Sequence, residues 1–415
     1  MVSVRSRAVT LAVVVAALGY FVDIYDLILF GTVRKPSLIE LGYPAEQQTE
    51  PGLFLFNMQM AGVLLGGILW GVLGDKRGRL SVLFGSIVTY SLANLANGAV
   101  TSIEQYAACR FIAGIGLAGE LGAGITLVSE LMDKRTRGIA TTIVAAVGIC
   151  GGVAAGIIGG GIPSLYEGAY WRHAYYIGGG MGLALLLLRI GVAESGMFHA
   201  TAAKTNVRRG DFLSLFASWR RAARYFGLIA VGVPVWYVIG ILITFSDRVG
   251  HALGLSPDPN NATSLMFAYA GCAAGDLASG LISQWLRSRR RALGLFISAT
   301  VAGVVAYFTV GGTSLTVFYA LCTILGFTVG YWAVFVTTAA EQFGTNLRAT
   351  VATTTPNFVR GSAVLLTIAF KGLLPPLGVV GAAAAVGAVA LGVALLGLLT
   401  LRETFGVDLD FTEEA

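Results

Sequence analysis

The sequence predicts an all-α membrane protein with twelve transmembrane helices in two six-helix bundles related by a pseudo-twofold repeat. Apolar residues make up 56% of the 415 residues and charged residues only 12%, which is far from the composition of soluble proteins. Apolar stretches of about 20 residues, long enough to cross a bilayer, recur along the whole chain. A single long polar connection divides them into two sets of six, and no soluble domain is evident.

The predicted spans follow one another with short connections. The first begins after Arg5 and Arg7 and continues to Phe30 without a small-residue cleavage site, so we interpret it as a retained span. In the fifth, glycines recur every four residues from Gly148 to Gly160, which predicts close helix packing. The twelve spans lie near residues 9–31, 52–74, 80–99, 104–131, 138–161, 172–191, 224–246, 263–286, 292–311, 315–340, 350–372 and 378–401.

The polar connection defines the domain organisation. We predict an N-terminal six-helix bundle over residues 1–191, a cytoplasmic linker over residues 192–223, and a C-terminal bundle with a short tail over residues 224–415. The last part of the linker, from Phe212 to Arg221, is basic and amphipathic. This pattern predicts a helix that lies on the membrane surface.

The distribution of Lys and Arg predicts the orientation. With the N-terminus inside, 21 of the 28 basic residues fall in cytoplasmic segments, Arg189 among them, and five fall on the opposite side, including Arg34 and Lys35. Such asymmetry places both termini in the cytoplasm of a plasma (inner) membrane protein. The net charge of +6 therefore reflects topology, and no nucleic-acid partner is expected. The remaining two basic residues, Arg110 and Arg360, lie within spans.

Several motifs carry a resemblance to a known family. The stretch from Gly71 to Leu80, Gly-Val-Leu-Gly-Asp-Lys-Arg-Gly-Arg-Leu, resembles the loop signature of the major facilitator superfamily, and Arg110 to Gly116 is similar to its fourth-helix signature. Further similar pieces are Ser129 to Gly138, Glu194 to Phe198 and Arg402 to Asp410. The resemblance implies transport by alternating access, without covalent chemistry or a cofactor. It also implies a monomer in the bilayer.

The two halves of the chain contain similar sequence motifs at the predicted cytoplasmic face of the membrane. The segment from Gly67 lines up with the segment from Gly280, so that Ser288 takes the place of Asp75 and the gate should be asymmetric. Glu followed seven positions later by Arg occurs in both halves. In the superfamily such residues form a cytoplasmic gate, although the basic ones could merely enforce topology. The implied gate residues are Asp75, Arg79, Glu130, Arg137, Glu341 and Arg348.

Two acids lie within the first span. An ionised side chain at the bilayer centre costs about 3 kcal/mol on insertion scales, so it usually faces a partner or a wet cavity. By helix rise, Asp26 and Arg110 both fall in the outer half of the membrane and are expected to pair. We assign Asp26 as the proton carrier, Asp23 as its partner or substitute, and Arg110 as the group that sets their pKa. The alternative is a static salt bridge. Asp23-Ile24-Tyr25-Asp26 resembles the Glu-Trp-Tyr-Asp of metabolite:proton symporters.

Deeper in the membrane lie three further charged residues. Glu120 is a second proton site, a contact for a positive group of the solute, or only a hydrogen-bond partner of a neighbouring helix. Asp276 and Arg360 lie near the midplane and could neutralise each other. Alternatively, Arg360 binds a substrate carboxylate, because its planar fork suits bidentate contact, with Asp276 as its resting counter-ion.

Polar and aromatic side chains in the spans are further candidates for solute contacts. Each of two adjacent aromatic pairs points in two directions, so one member of each could line a cavity. The aromatic candidates are Trp236, Tyr237, Tyr331, Trp332 and Tyr25, and the amide candidates are Asn57, Gln59 and Asn357. The three histidines lie at loop edges and indicate no metal site.

These observations favour a transporter that moves a small polar organic solute, a carboxylate or a zwitterion, together with protons. The alternative is a proton-coupled exporter of a cationic or amphipathic compound, since four intramembrane acids outnumber two arginines. A third class, a non-transporting receptor or a scramblase-like protein, would not need a carboxylate positioned for protonation.

Overall fold

The computed structural model describes residues 2–44, 47–132, 137–160, 170–189, 210–408 and 410–413. In these ranges the chain forms fourteen α-helices, and a π-helical turn, Val238–Ile243, continues the eighth. The helices are α1 (Val2–Glu40), α2 (Thr49–Arg77), α3 (Arg79–Asn97), α4 (Ile103–Leu117), α5 (Glu120–Leu131), α6 (Arg137–Gly160), α7 (Tyr170–Leu188), α8 (Trp219–Tyr237), α9 (Ser246–Ala252), α10 (Asn261–Trp285), α11 (Arg289–Val310), α12 (Leu315–Val329), α13 (Trp332–Glu341) and α14 (Arg348–Thr400).

These helices account for all twelve predicted spans. The fourth span is divided into α4 and α5, and the tenth into α12 and α13, where Gly330 interrupts the helix. The eleventh and twelfth spans are joined in α14, which bends at Gly378, where the backbone φ is 65°. Pro375 and Pro376 lie just before this bend; they lack the N–H that a continuous helix needs. Ten helical stretches among the described residues are long and apolar enough to cross a membrane, so the predicted all-helical membrane fold is confirmed.

The helices pack as two bundles. Within the first, α1 lies against α6, and α3 against α4 and α7; within the second, α8 lies against α14, and α10 against α12. The bundles meet where α6 packs on α10 and α2 packs on α14. The exact boundaries remain a prediction, because residues 190–209 lie outside the described part of the chain. The segment predicted as an amphipathic surface helix is divided into a 3-10 helix, Phe212–Phe216, and the start of α8 at Trp219.

Helix α6 belongs to the first bundle and lies at its interface with the second. Glycines on two of its faces allow α1 on one side and α10 on the other to approach closely. A Cβ at Gly151 would collide with the carbonyl oxygen of Phe21 in α1, and a Cβ at Gly152 would collide with the ring of Tyr269 in α10. Gly151 lies beside the predicted repeat, and within the repeat a Cβ at Gly148 would collide with the ring of Tyr20 in α1. Close packing is therefore the role of these glycines, as the sequence predicts for the repeat. The close approach of α1 and α6 fixes the rotation of α1, and with it the direction in which its two acids point.

A methyl group at Gly151 is expected to destabilise the protein. Gly151→Ala forces the backbones of α1 and α6 apart, and overpacking of this kind costs about 1–3 kcal/mol. Thermal unfolding of the purified protein measures the effect. The matched control is Gly180→Ala, since nothing lies within 4 Å of a Cβ at Gly180. Equal melting temperatures for the two variants would contradict the packing argument.

Candidate functional site

A buried ion pair joins the two bundles at the centre of the molecule. An Nη atom of Arg360, on α14, donates to a carboxylate oxygen of Asp23, on α1, at 2.8 Å. Neither side chain is exposed by more than 1%. The second Nη of Arg360 donates to Asn357, one turn earlier on α14, at 3.3 Å. The amide of Asn357 in turn donates to the carbonyl of Ala118 in the first bundle, at 2.7 Å, so both bundles hold the arginine in place.

Beside this pair lies a small cavity between the bundles, which we call the central cavity. Its volume is about 30 Å³, and its walls include Tyr20, Trp236, Tyr269, Trp332 and Arg360. The rest of the lining is aliphatic apart from one cysteine. The central cavity therefore presents one cation to an otherwise aromatic and aliphatic space, which is the character of a site for a small organic ligand.

In each of the two adjacent aromatic pairs, Trp236–Tyr237 and Tyr331–Trp332, one side chain lines the central cavity and the other packs within its own bundle. Trp236 and Trp332 line the central cavity. The hydroxyl of Tyr237 donates to the carbonyl of Ala383 at 3.0 Å, and that of Tyr331 donates to the carbonyl of Val231 at 2.9 Å, both within the second bundle. The tryptophans are thus positioned for solute contact, and the tyrosines hold their own bundle together.

The predicted pairing of Asp276 with Arg360 is wrong. Asp276 accepts a hydrogen bond from the backbone N–H of Ala333 at 2.9 Å, at the N-terminus of α13. The break at Gly330 leaves the first N–H groups of α13 without intrahelical partners, and a carboxylate there is favoured by the helix dipole. The carboxylate of Asp276 therefore caps a helix, and Asp23 is the partner of Arg360.

Asp26 and Arg110 are not directly paired in this structure. The side chain of Asp26 is fully buried, and within the described residues neither of its oxygens has a donor at ordinary hydrogen-bond geometry; the amide of Asn94 and the guanidinium of Arg110 are the groups that favour its charge. Arg110 donates to Gln59 and lies over the rings of Phe30 and Tyr175, at 5.1 and 5.7 Å. The predicted ion pair is open here, because Gln59 on α2 takes up the guanidinium.

Glu120 pairs with Arg189, a residue that the distribution of basic residues had assigned to a cytoplasmic loop. Arg189 is buried at the end of α7, and Glu120 also accepts from the hydroxyl of Ser86 at 2.6 Å. The assignment of Arg189 to a cytoplasmic loop is therefore wrong: its side chain lies inside the first bundle and neutralises Glu120. The described spans hold at least one more buried arginine than the sequence predicted.

The remaining polar candidates from the sequence lie away from the central cavity. The hydroxyl of Tyr25 donates to the carbonyl of Ala174 at 2.9 Å, which ties α1 to α7. Gln59 accepts from Arg110. The buried carboxamide oxygen of Asn57 has no hydrogen-bond partner among the described residues. None of these three side chains is part of the cavity wall.

At one end of the molecule, which we call the Asp75 end, the two bundles are joined by buried polar contacts. The carboxylate of Asp75 accepts from the backbone N–H groups of Ala349 and Thr350, at 3.2 and 2.8 Å, and from the hydroxyl of Thr350 at 2.7 Å. These groups belong to the first turn of α14 in the opposite bundle. Asp75 thus caps a helix across the interface, where the helix dipole favours an anion.

The other predicted gate residues surround this cap. Arg79 pairs with Glu130 at 2.8 Å, and Arg348 of the second bundle pairs with the same carboxylate at 3.4 Å. Glu341 pairs with Arg289 at 3.3 Å, within the second bundle. The side chain of Arg137 lies outside the described residues. Since every described member of this network is buried, the Asp75 end is closed to solvent.

The structure corrects the sequence alignment of the two halves. Arg79 and Arg289 are each the first residue of a helix, and each pairs with the equivalent glutamate, so Ser288 corresponds to Gly78 and not to Asp75. In the second half Glu403 caps the helix start, because it accepts from the hydroxyl of Ser288 and from the backbone N–H of Arg289. Burial alone would raise the pKa of Glu403, but these donors outweigh it and lower the pKa.

The opposite end, which we call the Lys35 end, is held differently. Lys35 on α1 pairs with Asp247 on α9 at 3.1 Å, and Lys371 pairs with Glu50. Three of these four side chains are more than half exposed, at 55%, 56% and 71%, and only Asp247 is largely covered. Exposed pairs contribute about 0–1 kcal/mol each, so the Lys35 end is the weaker closure.

Sequence reasoning missed two residues of the central cavity, Tyr20 and Tyr269. Both follow from helical periodicity: Tyr20 lies three residues before Asp23, and Tyr269 lies seven before Asp276, so each shares a face with an intramembrane acid. Arg189 carried no such signal, because an arginine at the end of an apolar stretch has the same pattern as a loop residue.

Comparison with known proteins identifies relatives of the whole chain. Residues 16–367 match the sequence model of the Major Facilitator Superfamily. The probable 4-methylmuconolactone transporter of Cupriavidus pinatubonensis is 26% identical over 96% of this chain and 91% of its own length. The putative niacin/nicotinamide transporter NiaP of Bacillus subtilis is 26% identical over 83% of this chain and 84% of its own. With the rice inorganic phosphate transporter 1-1 the identity is 33%, but the match spans only 40% of this chain and 33% of that protein.

The fold also matches a solved structure. The proton:xylose symporter XylE, bound to 6-bromo-6-deoxy-D-glucose, superposes with a TM-score of 0.77 over 98% of both chains, at 15% sequence identity. At this identity the similarity establishes the fold and leaves the solute open.

Removing the charge of Asp75 is expected to weaken the Asp75 end. In Asp75→Asn the amide meets the N–H groups of α14 without a negative charge, and a hydrogen bond to a charged group contributes about 1.5–3 kcal/mol. Spin labels at Arg77 and Arg287, one in each bundle, in a background without the native cysteines, report the separation of the bundles. We expect a longer distance to become populated in Asp75→Asn. Lys76→Gln, at the exposed neighbouring position, is the control, and an unchanged distance in both variants would contradict this role.

Proposed function

The chain belongs to the major facilitator superfamily, and from this premise we propose that it moves a small organic carboxylate together with protons. It is an integral, multi-pass membrane transporter and not an enzyme, as the family match and its relatives show. We further propose a monomer in the plasma (inner) membrane with both termini in the cytoplasm, supported by the distribution of basic residues. In this orientation the Asp75 end is cytoplasmic.

The single observation that supports coupled transport is the Asp23–Arg360 pair beside the central cavity. A carboxylate that enters the cavity competes with Asp23 for the guanidinium, and bidentate arginine–carboxylate contacts are among the strongest in proteins. Once displaced, Asp23 would be an unpaired buried anion, which is costly. Binding of a proton by Asp23 removes this cost. Solute and proton therefore bind together, and Arg360 links them.

Asp26 provides a second proton-binding group in this proposal. It lies one turn from Asp23 on α1, and a buried carboxyl group without donors is less costly in its neutral form. Arg110 is available as its partner when Gln59 releases the guanidinium. We therefore propose that Asp23 exchanges its proton with solute binding and that Asp26 passes it on, which reverses the order assigned from the sequence. Glu120 is given a structural role, since Arg189 already neutralises it.

The arrangement of charge favours an anionic solute over the cationic one of the alternative proposal. Of the four intramembrane acids, Asp23 and Glu120 are paired with arginines and Asp276 caps α13. Among the described residues only Asp26 has neither an ion pair nor a hydrogen bond of ordinary geometry, and it is not part of the cavity wall. The cation in that wall is Arg360. The relatives named above as transporters of niacin/nicotinamide and of 4-methylmuconolactone, both small organic molecules, support a solute of this size.

Alternating access requires that one end open while the other stays closed. Here the Asp75 end is closed by buried contacts and the Lys35 end by exposed ones, so the Lys35 end is the one that opens from this state. A solute would then reach the central cavity from that side. Its departure requires the Asp75 cap and the Glu130–Arg348 pair to break.

The proposal is tested by removing the charge of Asp23. A thermal-shift screen against organic acids, betaines and amines first identifies a stabilising carboxylate, because a ligand at a hundred times its Kd adds roughly 2.7 kcal/mol. In vesicles, Asp23→Asn is then expected to lose accumulation driven by a proton gradient and to keep exchange of labelled for unlabelled solute. The reason is that an amide cannot exchange a proton, whereas Arg360 still binds the carboxylate.

Asp258→Asn is the matched control, since Asp258 is exposed and pairs only with His251 among the described residues. It is expected to accumulate solute as the wild type does. Full proton-driven accumulation by Asp23→Asn would refute the coupling role of Asp23. Stabilisation by amines alone in the screen would support the exporter instead.

A further inference from the structure

A second cavity lies between the bundles closer to the Lys35 end, and we call it the outer cavity. Its volume is about 20 Å³, and its walls include Arg34, Phe56, Trp236 and Phe245. Leu27, Trp236 and Ile239 line both cavities, so the outer cavity adjoins the central one through a shared wall. As in the central cavity, one arginine faces an otherwise largely aromatic and aliphatic space.

Arg34 forms no salt bridge with any residue that the structure describes. In the described part of the chain, its Nε is buried without a hydrogen-bond partner, and no carboxylate lies within ion-pair distance. Its guanidinium lies over the ring of Phe245, 5.5 Å from the centroid. The carboxylate that interacts with Arg34 most strongly through its charge is that of Asp247. It is already paired with Lys35, at 3.1 Å. Asp247 is thus shared between Lys35 and Arg34; its single negative charge does not neutralise both cations, so an anion is favoured beside Arg34.

Arg34 is too far from Arg360 to serve the same bound molecule. It lies eleven residues after Asp23 on α1, about 16 Å along the helix axis, and Asp23 marks the position of Arg360. A small carboxylate that contacts one guanidinium cannot contact the other. The two arginines therefore define two sites, one above the other, along the interface of the bundles.

We propose that the outer cavity is a second binding site for the transported solute, an aromatic carboxylate, which it occupies on the way to Arg360. The carboxylate binds Arg34, and the ring packs among Phe56, Trp236 and Phe245. This inference rests on the proposed function and specifies its solute class. As it stands the outer cavity holds about one water molecule, so binding requires the Lys35 end to part, and the two salt bridges described at that end, Lys35–Asp247 and Lys371–Glu50, are weak.

The chemistry of both walls determines the solute class. Each cavity offers a single guanidinium and otherwise mostly aromatic and aliphatic side chains, with Cys272 in the central cavity and Thr244 in the outer one, which suits a flat, largely apolar body with one negative group. A polyhydroxylated solute would find few polar partners in these walls, chiefly the hydroxyls of Tyr20, Tyr269 and Thr244, and its remaining hydroxyl groups would be buried unpaired, which is unfavourable. Trp236, which lines both cavities, offers the ring a continuous surface between the two arginines.

Equilibrium dialysis of the full-length purified protein with radiolabelled benzoate tests the proposal. We expect the wild type to bind two benzoates, and Arg34→Gln and Arg360→Gln to bind one each. Benzamide, which has the same shape without the charge, should not compete. Lys76→Gln is the control, since it removes an exposed cation at the opposite end of the molecule and leaves Arg34, Lys35 and Asp247 in place, and it should bind two. Leu53→Trp, which fills the outer cavity without changing its charge, should bind one.

The outcomes separate this site from the proposed function. A wild type that binds one benzoate, lost in Arg360→Gln and kept in Arg34→Gln and Leu53→Trp, would overturn the outer site and leave the proposed function intact. Equal competition by benzamide would overturn the role of Arg34 as the anion partner. No benzoate binding at all would overturn both sites for aromatic carboxylates, and the screen with other acids would then decide the proposed function independently.

Discussion

The ion pair between Asp23 and Arg360 is the interaction on which the rest of the structure depends. It buries two charges between the bundles, and breaking such a pair by removal of one partner costs about 3–5 kcal/mol because the other charge remains uncompensated. Asn357 holds the arginine from the second bundle and, through Ala118, from the first. A pair of this kind is stable only while each group has its partner, which is why a competing carboxylate and a proton could replace it together.

The two ends of the molecule differ in how they hold the bundles together. At the Asp75 end, helix capping and buried pairs combine, so closure depends on several groups at once. At the Lys35 end the pairs are largely exposed and are screened by water and salt. Because of this difference, we expect the Lys35 end to open more readily than the Asp75 end from the state described here. Both cavities lie between the bundles, and each places one arginine in mostly apolar surroundings.

The sequence predicted the transmembrane spans and showed that the charged residues within them need partners. It did not predict which of these residues pair with each other. Apolar length located every span, and intramembrane charge identified Asp23, Asp26, Glu120, Asp276 and Arg360 as residues needing partners. Helix rise gives depth along a span, whereas pairing also depends on rotation and on the packing of helices distant in sequence. Asp23 and Arg360 are 337 residues apart, and Gly151, where α1 and α6 approach most closely, lies outside the glycine repeat that the sequence shows. The caps at Asp75 and Asp276 likewise depend on helix starts that only the folded chain brings near them.

Proton uptake on solute binding tests the exchange at Arg360 most directly. The purified protein, in a lightly buffered solution with a pH indicator, is titrated with the carboxylate that stabilises it in the thermal-shift screen. We expect about one proton to be taken up for each carboxylate bound at Arg360, because Asp23 becomes neutral as it leaves the guanidinium. Asp23→Asn should bind the carboxylate and take up none. Saturating, Arg360-dependent binding by the wild type without any proton uptake would contradict the account.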